Sequence, residues 1–334
     1  GLCLWGSHRC DPMPAQSAER DTPSAPGLRE DFPATSRLVK RVGVERPLTV
    51  DRKPLRPHLV AARPTRPARH QWVVQQLIAS DLDGTLFGPD SVPEPRTVAA
   101  VNAVVDAGYI FVAITGRSYF GGADRVTNSG ANAHWFIGSN GGHRMHLATR
   151  ILEERLLFTE HDVRSMVNEV PRDLAGIGFG FEHDSGFSYD AGFRAVFPTA
   201  FDGGPRQDTA VWASHDIGKI FVSHPTLTSE ELIDVSTQLV PAGTHVTTSG
   251  TSFVELTPPG GDKAMGLARL CAKLEIDAAD VVAFGDNNND VSMLGWAGRG
   301  IAMDNATPDA KAAADEITAT NTDFGVAVIL EALV

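Results

Sequence analysis

An apolar, β-branched run that ends on a pair of acids constrains this chain most. Val73-Val74-Gln75-Gln76-Leu77-Ile78-Ala79 leads straight into Asp81-Leu82-Asp83-Gly84-Thr85-Leu86. The run reads as a buried strand. Apolar residues at helical spacing follow (Val98, Val101, Val104, Val105), closing at Gly108, which predicts a helix over about 97–107. A second strand, Tyr109–Ile114, a helix near 119–127 and a short strand at Trp135–Gly138 continue the alternation. Strands alternating with helices predict an α/β fold with a Rossmann-like, doubly wound parallel sheet.

The pattern changes after His143. Hairpin-like runs, helices near 160–170 and 228–239, and a strand at Lys219–Ser223 read as an inserted α+β unit. The βα alternation resumes with Ser252–Leu256, a helix over about 263–274 and the strands Val281–Phe284 and Gly300–Met303. The expected division is therefore a core of 72–143 and 251–334, interrupted by a cap of 144–250. Residues 1–71 are expected to form a disordered, basic, Pro/Arg-rich tail. Residues 1–72 carry a charge balance of +6 and 10 of the 21 prolines, against −12 for the whole chain. Such a segment buries too little apolar surface to offset its ordering entropy.

The acidic balance argues against general binding of nucleic acid or of anionic membranes. The three cysteines, Cys3, Cys10 and Cys271, form no C-x-x-C pair, so neither a disulfide framework nor a zinc site is supported. With no apolar run long enough to span a bilayer, the expectation is a cytoplasmic monomer or homodimer that acts on a small molecule.

Four stretches carry chemistry. Asp81 and Asp83 stand at a strand's C-terminal end, where open α/β sheets bind ligands, and paired carboxylates suit a hard cation such as Mg²⁺. Aspartate can attack phosphorus and form an aspartyl-phosphate, while a second carboxyl can serve as general acid and base. Thr115-Gly116-Arg117 ends the second strand with a hydroxyl and a backbone N–H at a helix entrance, an anion site or a plain N-cap. Lys263 sits where the helix macrodipole disfavours a cation, unless an anion faces it. Gly285-Asp286-Asn287-Asn288-Asn289-Asp290 offers carboxylates and amides at a strand-to-helix turn, suited to metal and phosphate contacts or to a simple Asn-rich turn.

Together these stretches resemble the haloacid dehalogenase superfamily over about residues 76–334. The inserted unit, Ser139-Asn140-Gly141-Gly142 and Gly300–Ala306 make the chain similar to its Cof-type (IIB) subfamily, whose members carry an α/β cap. The resemblance implies that Asp81 is the nucleophile and a Mg²⁺ ligand, and that Asp83 is the general acid/base and a ligand through its carbonyl. It implies Asp286 as a further ligand, supported by Asp290. Leu82, Thr115, Gly116, Lys263 and Asn289 are then expected to hold the transferring phosphoryl group, with Arg117 and Asn140 on the substrate. His183, Arg194, His215 and Lys219 of the cap are candidates for reading the leaving group, and His143 and Arg144 for a hinge. The expected activity is Mg²⁺-dependent hydrolysis of small phosphorylated metabolites, sugar phosphates first. The alternatives are a phosphomutase and a non-catalytic phosphate-binding or regulatory protein.

Overall fold

The computed structural model describes residues 76–183, 186–197, 212, 216–249 and 252–334. The basic tail, Cys3, Cys10 and His215 lie outside them. In chain order the elements are β1 (Leu77–Ser80), α1 (Pro95–Asp106), β2 (Ile110–Ile114), α2 (Tyr119–Asn128), β3 (Trp135–Gly138), β4 (His143–His146) and β5 (Ile151–Arg155). Next come α3 (Glu160–Asp173), β6 (Gly178–His183), β7 (Gly186–Tyr189), α4 (Ala191–Val196), β8 (Ile217–Ser223), α5 (Ser229–Leu239), β9 (His245–Thr247) and β10 (Val254–Thr257). The chain closes with α6 (Lys263–Leu274), β11 (Val281–Gly285), α7 (Val291–Trp296), β12 (Arg299–Ala302), α8 (Pro308–Ala313), β13 (Glu316–Ile317) and α9 (Gly325–Glu331).

The first sheet has the order β13-β12-β11-β1-β2-β3-β4-β5. Its pairs from β13 to β3 are parallel, and β4 and β5 add on antiparallel. Alternating side chains divide between two faces, as the period of a strand requires. Ile78, Phe111, Phe136 and Phe284 pack with Val101 and Val104 of α1, Val126 of α2 and Val326 of α9. Leu77, Ala79, Val112, Ile114 and Ala283 pack with Leu267, Leu270 and Cys271 of α6. Helices thus cover both faces, which is why these strands read as continuous apolar runs. Chain order runs from β1 to β3 on one side of β1, and from β11 to β13 on the other. The C-terminal ends of β1 and β11 therefore flank the topological switch point, where a crevice opens.

The second sheet, β7-β6-β8-β10-β9, is antiparallel. One face, with Phe179, Phe181, Ile220, Val222 and Leu256, packs on Val163 and Met166 of α3 and Leu232 of α5. The other carries an aromatic cluster of Tyr189, Phe193, Phe221 and Phe253.

Sheet membership differs from the sequence expectation at both ends of the insertion. Residues 144–155 belong to the first sheet through β4 and β5, and β10, expected in the core, belongs to the second. The first strand, expected over 73–79, is β1 within the described residues, and 73–75 lie outside them. Among the described residues no helix is long and apolar enough to cross a membrane.

Candidate active site

β1 delivers Asp81 to the switch point, and its N–H donates to Phe284 O of β11 at 3.0 Å. The chain then turns sharply: Leu86 N–H donates to Asp81 O and Phe87 N–H to Leu82 O, while the Leu82 side chain is buried in the core. Gly84 makes the turn at φ +84°, and a Cβ there would lie 2.4 Å from Asp286 Oδ2. Only glycine meets both demands without strain. Thr85 Oγ1 donates to Asp286 Oδ1 at 2.6 Å, which ties the loop after β1 to the loop after β11.

The loop after β11 is braced by Asp290, whose Oδ2 accepts from the N–H groups of Asp286 and Asn287, both at 3.0 Å. Its Oδ1 accepts from Lys263 Nζ at 2.6 Å, and the same ammonium donates to Asp81 Oδ1 at 2.7 Å. Lys263 is the first residue of α6, behind the N-cap Asp262, whose side chain accepts from Met265 N–H. It is fully buried. The two carboxylates answer the oddity of a cation at the positive end of a helix. Burial alone would pull the Lys263 ammonium down, but Asp290 and Asp81 together push it up.

Asp81, Asp286 and Asp290 are all buried, and each offers an oxygen within 4.8 Å of the others. One ammonium, bonded to Asp81 and Asp290, stands beside three carboxylates. Burial pushes the Asp81 carboxyl well above its ordinary value; Lys263 opposes the rise, and Asp290 and Asp286 add to it. Burial likewise pushes Asp286 up to about 6, against the Thr85 hydrogen bond and with Asp290 adding. The cluster has an excess of negative charge and hard oxygen donors, a fit for a divalent cation. Asp83's carboxylate is not part of it. That side chain is partly exposed and forms a bidentate pair with Arg117, Nε to Oδ2 and Nη2 to Oδ1, each at 2.5 Å.

The remaining expected residues gather along the crevice. Thr115 is buried, and its Oγ1 accepts from Arg117 N–H at 3.1 Å. A Cβ on Gly116 would lie 2.9 Å from Ser249 Oγ and 3.1 Å from Asn140 Oδ1. Asn140 sits in a run of three left-handed residues, Ser139 (φ 49°), Asn140 (φ 53°) and Gly141 (φ 100°). Backbone of this kind persists only where its surroundings over-determine it, and here Gly141 is pressed against Asp262 O of the α6 N-cap. Asn289 Nδ2 donates to Asn140 Oδ1 at 3.0 Å and to Ser249 Oγ at 3.2 Å. Both amide hydrogens are thereby used within the protein, whereas Asn289 Oδ1 is buried without a partner.

The candidates of the inserted unit land differently. Lys219 is buried and bonded to Glu255 Oε1 and Gly116 O. His183 is buried, and the Arg194 guanidinium lies over the Tyr189 ring at 5.4 Å. His143 lies 3.3 Å from both Ser139 Oγ and Glu182 Oε1, and burial pulls its imidazole below the ordinary value. Arg144 pairs with Glu154 at 2.9 Å. The sequence reading missed Thr85, Glu182, Ser249 and Glu255. For Glu255 a signal existed: an acid inside the apolar strand Phe253-Val254-Glu255-Leu256 has to find a buried partner.

Comparison with known proteins agrees with this geometry. The family described as haloacid dehalogenase-like hydrolases matches residues 78–330. A 5-amino-6-(5-phospho-D-ribitylamino)uracil phosphatase of Bacillus subtilis is 27% identical over 252 residues, covering 75% of this chain and 93% of that protein. An HMP-PP phosphatase of Yersinia pseudotuberculosis is 28% identical over 249 residues, covering 71% of this chain and 86% of that protein. A solved haloacid dehalogenase-like hydrolase from Bacteroides thetaiotaomicron superposes with a TM-score of 0.64 at 24% identity, covering 78% of this chain and all of that one.

Proposed function

Because the chain belongs to the haloacid dehalogenase-like hydrolases, we propose that this phosphatase hydrolyses small phosphorylated metabolites, sugar phosphates first, through an aspartyl-phosphate on Asp81. The observation that carries the reading is the convergence of Asp81, Asp286, Asp290 and Lys263 from β1, β11 and α6. The name of the Bacillus subtilis relative supports the substrate class, since it describes a phosphate on a ribityl chain.

In this reading Lys263 holds Asp81 Oδ1 and leaves the other oxygen to attack phosphorus in line. The bond from phosphorus to the leaving oxygen breaks as Asp83 gives that oxygen a proton. Asp83 then takes a proton from water, which attacks the phosphorus of the acyl phosphate and frees Asp81 and inorganic phosphate. Between turnovers Arg117 holds Asp83 as a carboxylate; on leaving Arg117 it takes from solvent the proton that it gives to the leaving oxygen, and on rejoining it gives back to solvent the proton taken from water. Thr115, Gly116, Lys263 and the Leu82 backbone are assigned to the phosphoryl oxygens, and Asn140 to the substrate side. Asn289 joins the phosphoryl contacts by releasing one of the amide hydrogens it gives to Asn140 and Ser249. Asp81, Asp286 and the Asp83 carbonyl would hold Mg²⁺, with Asp290 in support. When bound, that ion neutralises phosphate charge facing the carboxylates. The second sheet is assigned as the cap that excludes water and selects the leaving group.

The test is release of p-nitrophenol from p-nitrophenyl phosphate. Wild type should turn over with Mg²⁺ and stall when the ion is chelated. Asp81→Asn should lower kcat by about 10³-fold or more, because an amide is a poor nucleophile. A long-lived phospho-adduct without turnover would overturn the reading in favour of a regulatory protein. Isomer formation that depends on an added sugar bisphosphate would make the chain a mutase.

A further inference from the structure

Lys219 of β8 and Glu255 of β10 share one face of the second sheet, Glu255 standing opposite Phe221 in the register. Both are buried, and they form an ion pair at 2.9 Å. A buried ion pair is weak evidence for stability, since a well-packed apolar pair often serves as well. The contacts these two side chains make beyond each other point to a different task.

Each reaches out of its own sheet to the crevice of the first. Lys219 Nζ donates to Gly116 O at 2.8 Å. Glu255 Oε2 accepts from Asn140 Nδ2 at 2.6 Å and from Ser249 Oγ at 2.9 Å. An ionised carboxylate can only accept, so Asn140 has to turn its amide nitrogen toward Glu255. Its Oδ1 then faces Asn289 and takes the Asn289 amide. Ser249 spends its proton on Glu255 and is left to accept from that same amide. At the other end, the peptide between Gly116 and Arg117 is held by its carbonyl on Lys219 and by its N–H on Thr115 Oγ1. Thr115 accepts there, so its own proton is aimed elsewhere.

We infer that Lys219 and Glu255 are positioning residues for phosphate binding: from the second sheet they set the Gly116–Arg117 peptide and the Asn140 and Asn289 amides of the first. Seating the second sheet and arranging the phosphate cradle are then one event. The inference rests on the proposed reading for what the cradle holds.

The experiment compares wild type, Lys219→Met, Glu255→Gln and the double variant in the full chain with Mg²⁺ present. Binding of inorganic phosphate is measured by calorimetry, alongside thermal unfolding and p-nitrophenyl phosphate hydrolysis. Each single variant leaves a buried group short of its partner and should lose stability as well as about tenfold or more in phosphate affinity. The double variant holds no unpaired buried charge. It should regain the wild-type Tm and still bind phosphate about tenfold more weakly, with a matching loss in kcat/KM. A double variant with wild-type affinity and turnover would overturn the inference and leave the hydrolase reading intact, as would a wild type that hydrolyses substrate without measurable phosphate binding. Weakened phosphate binding in the double variant of a wild type that turns nothing over would sink the hydrolase reading and sustain the positioning role.

Discussion

Gly84 shows how tightly the site is specified at the scale of one residue. Its φ of +84° disfavours any side chain, and the nearest atom to an added Cβ is a carboxylate oxygen of Asp286. Gly84→Ala should destabilise the protein by about 1–3 kcal/mol and should also weaken Mg²⁺ binding, because Asp286 has to move aside. Thermal unfolding and a Mg²⁺ titration check both halves, and wild-type Mg²⁺ affinity in the variant would refute the second. Asp81, Lys263 and Asp286 were legible because each ends or opens an element whose apolar spacing shows in the sequence. Thr85 was not, since its partner lies 201 residues away, and for Glu255 the buried acid showed in its strand but the partner 115 residues away did not. A hydrogen bond across such a separation leaves no local trace.

Among the elements, α6 bears most directly on the chemistry, because its first residue is Lys263. Asp262 caps it by accepting from Met265 N–H at 3.0 Å, and also accepts from Ser292 Oγ at 3.3 Å. Asp262→Ala should cost about 1 kcal/mol, seen as a lower Tm, and should reduce kcat because the turn that carries Lys263 frays. A variant with a lower Tm and unchanged kcat would mean that Lys263 is held by Asp81 and Asp290 alone. The helix bounds follow closely from periodicity and caps, which are local. Sheet membership does not. Phe253-Val254-Glu255-Leu256 announces a strand, but only its long-range pairing with β8 assigns it to the second sheet. The same holds for β4 and β5, whose hairpin-like sequence suits either layer.

Over the whole molecule, pH and metal are linked through the acidic cluster. Asp286 rises from an ordinary 3.8 to about 6 in the folded chain. Between those values the folded state binds a proton that the unfolded state releases, so this group's contribution to stability is lost as pH rises from about 4 to about 6. A divalent cation requires the ionised form. Millimolar Mg²⁺ should therefore raise Tm by several degrees at about pH 7.5 and by much less at about pH 5; equal shifts would show that the carboxylates do not hold the ion. The chain leaves the first sheet after Arg155 and returns before Lys263. At that crossing a side-chain carbon on Gly260 would lie 3.9 Å from Leu156 Cδ1. The outgoing and returning segments pass side by side there, and beyond them the described residues of the inserted unit touch the crevice of the first sheet again through Lys219, Glu255 and Ser249. An exchange of this insertion would have to bring equivalents of those three side chains if the acids beneath it are to keep a working phosphate site.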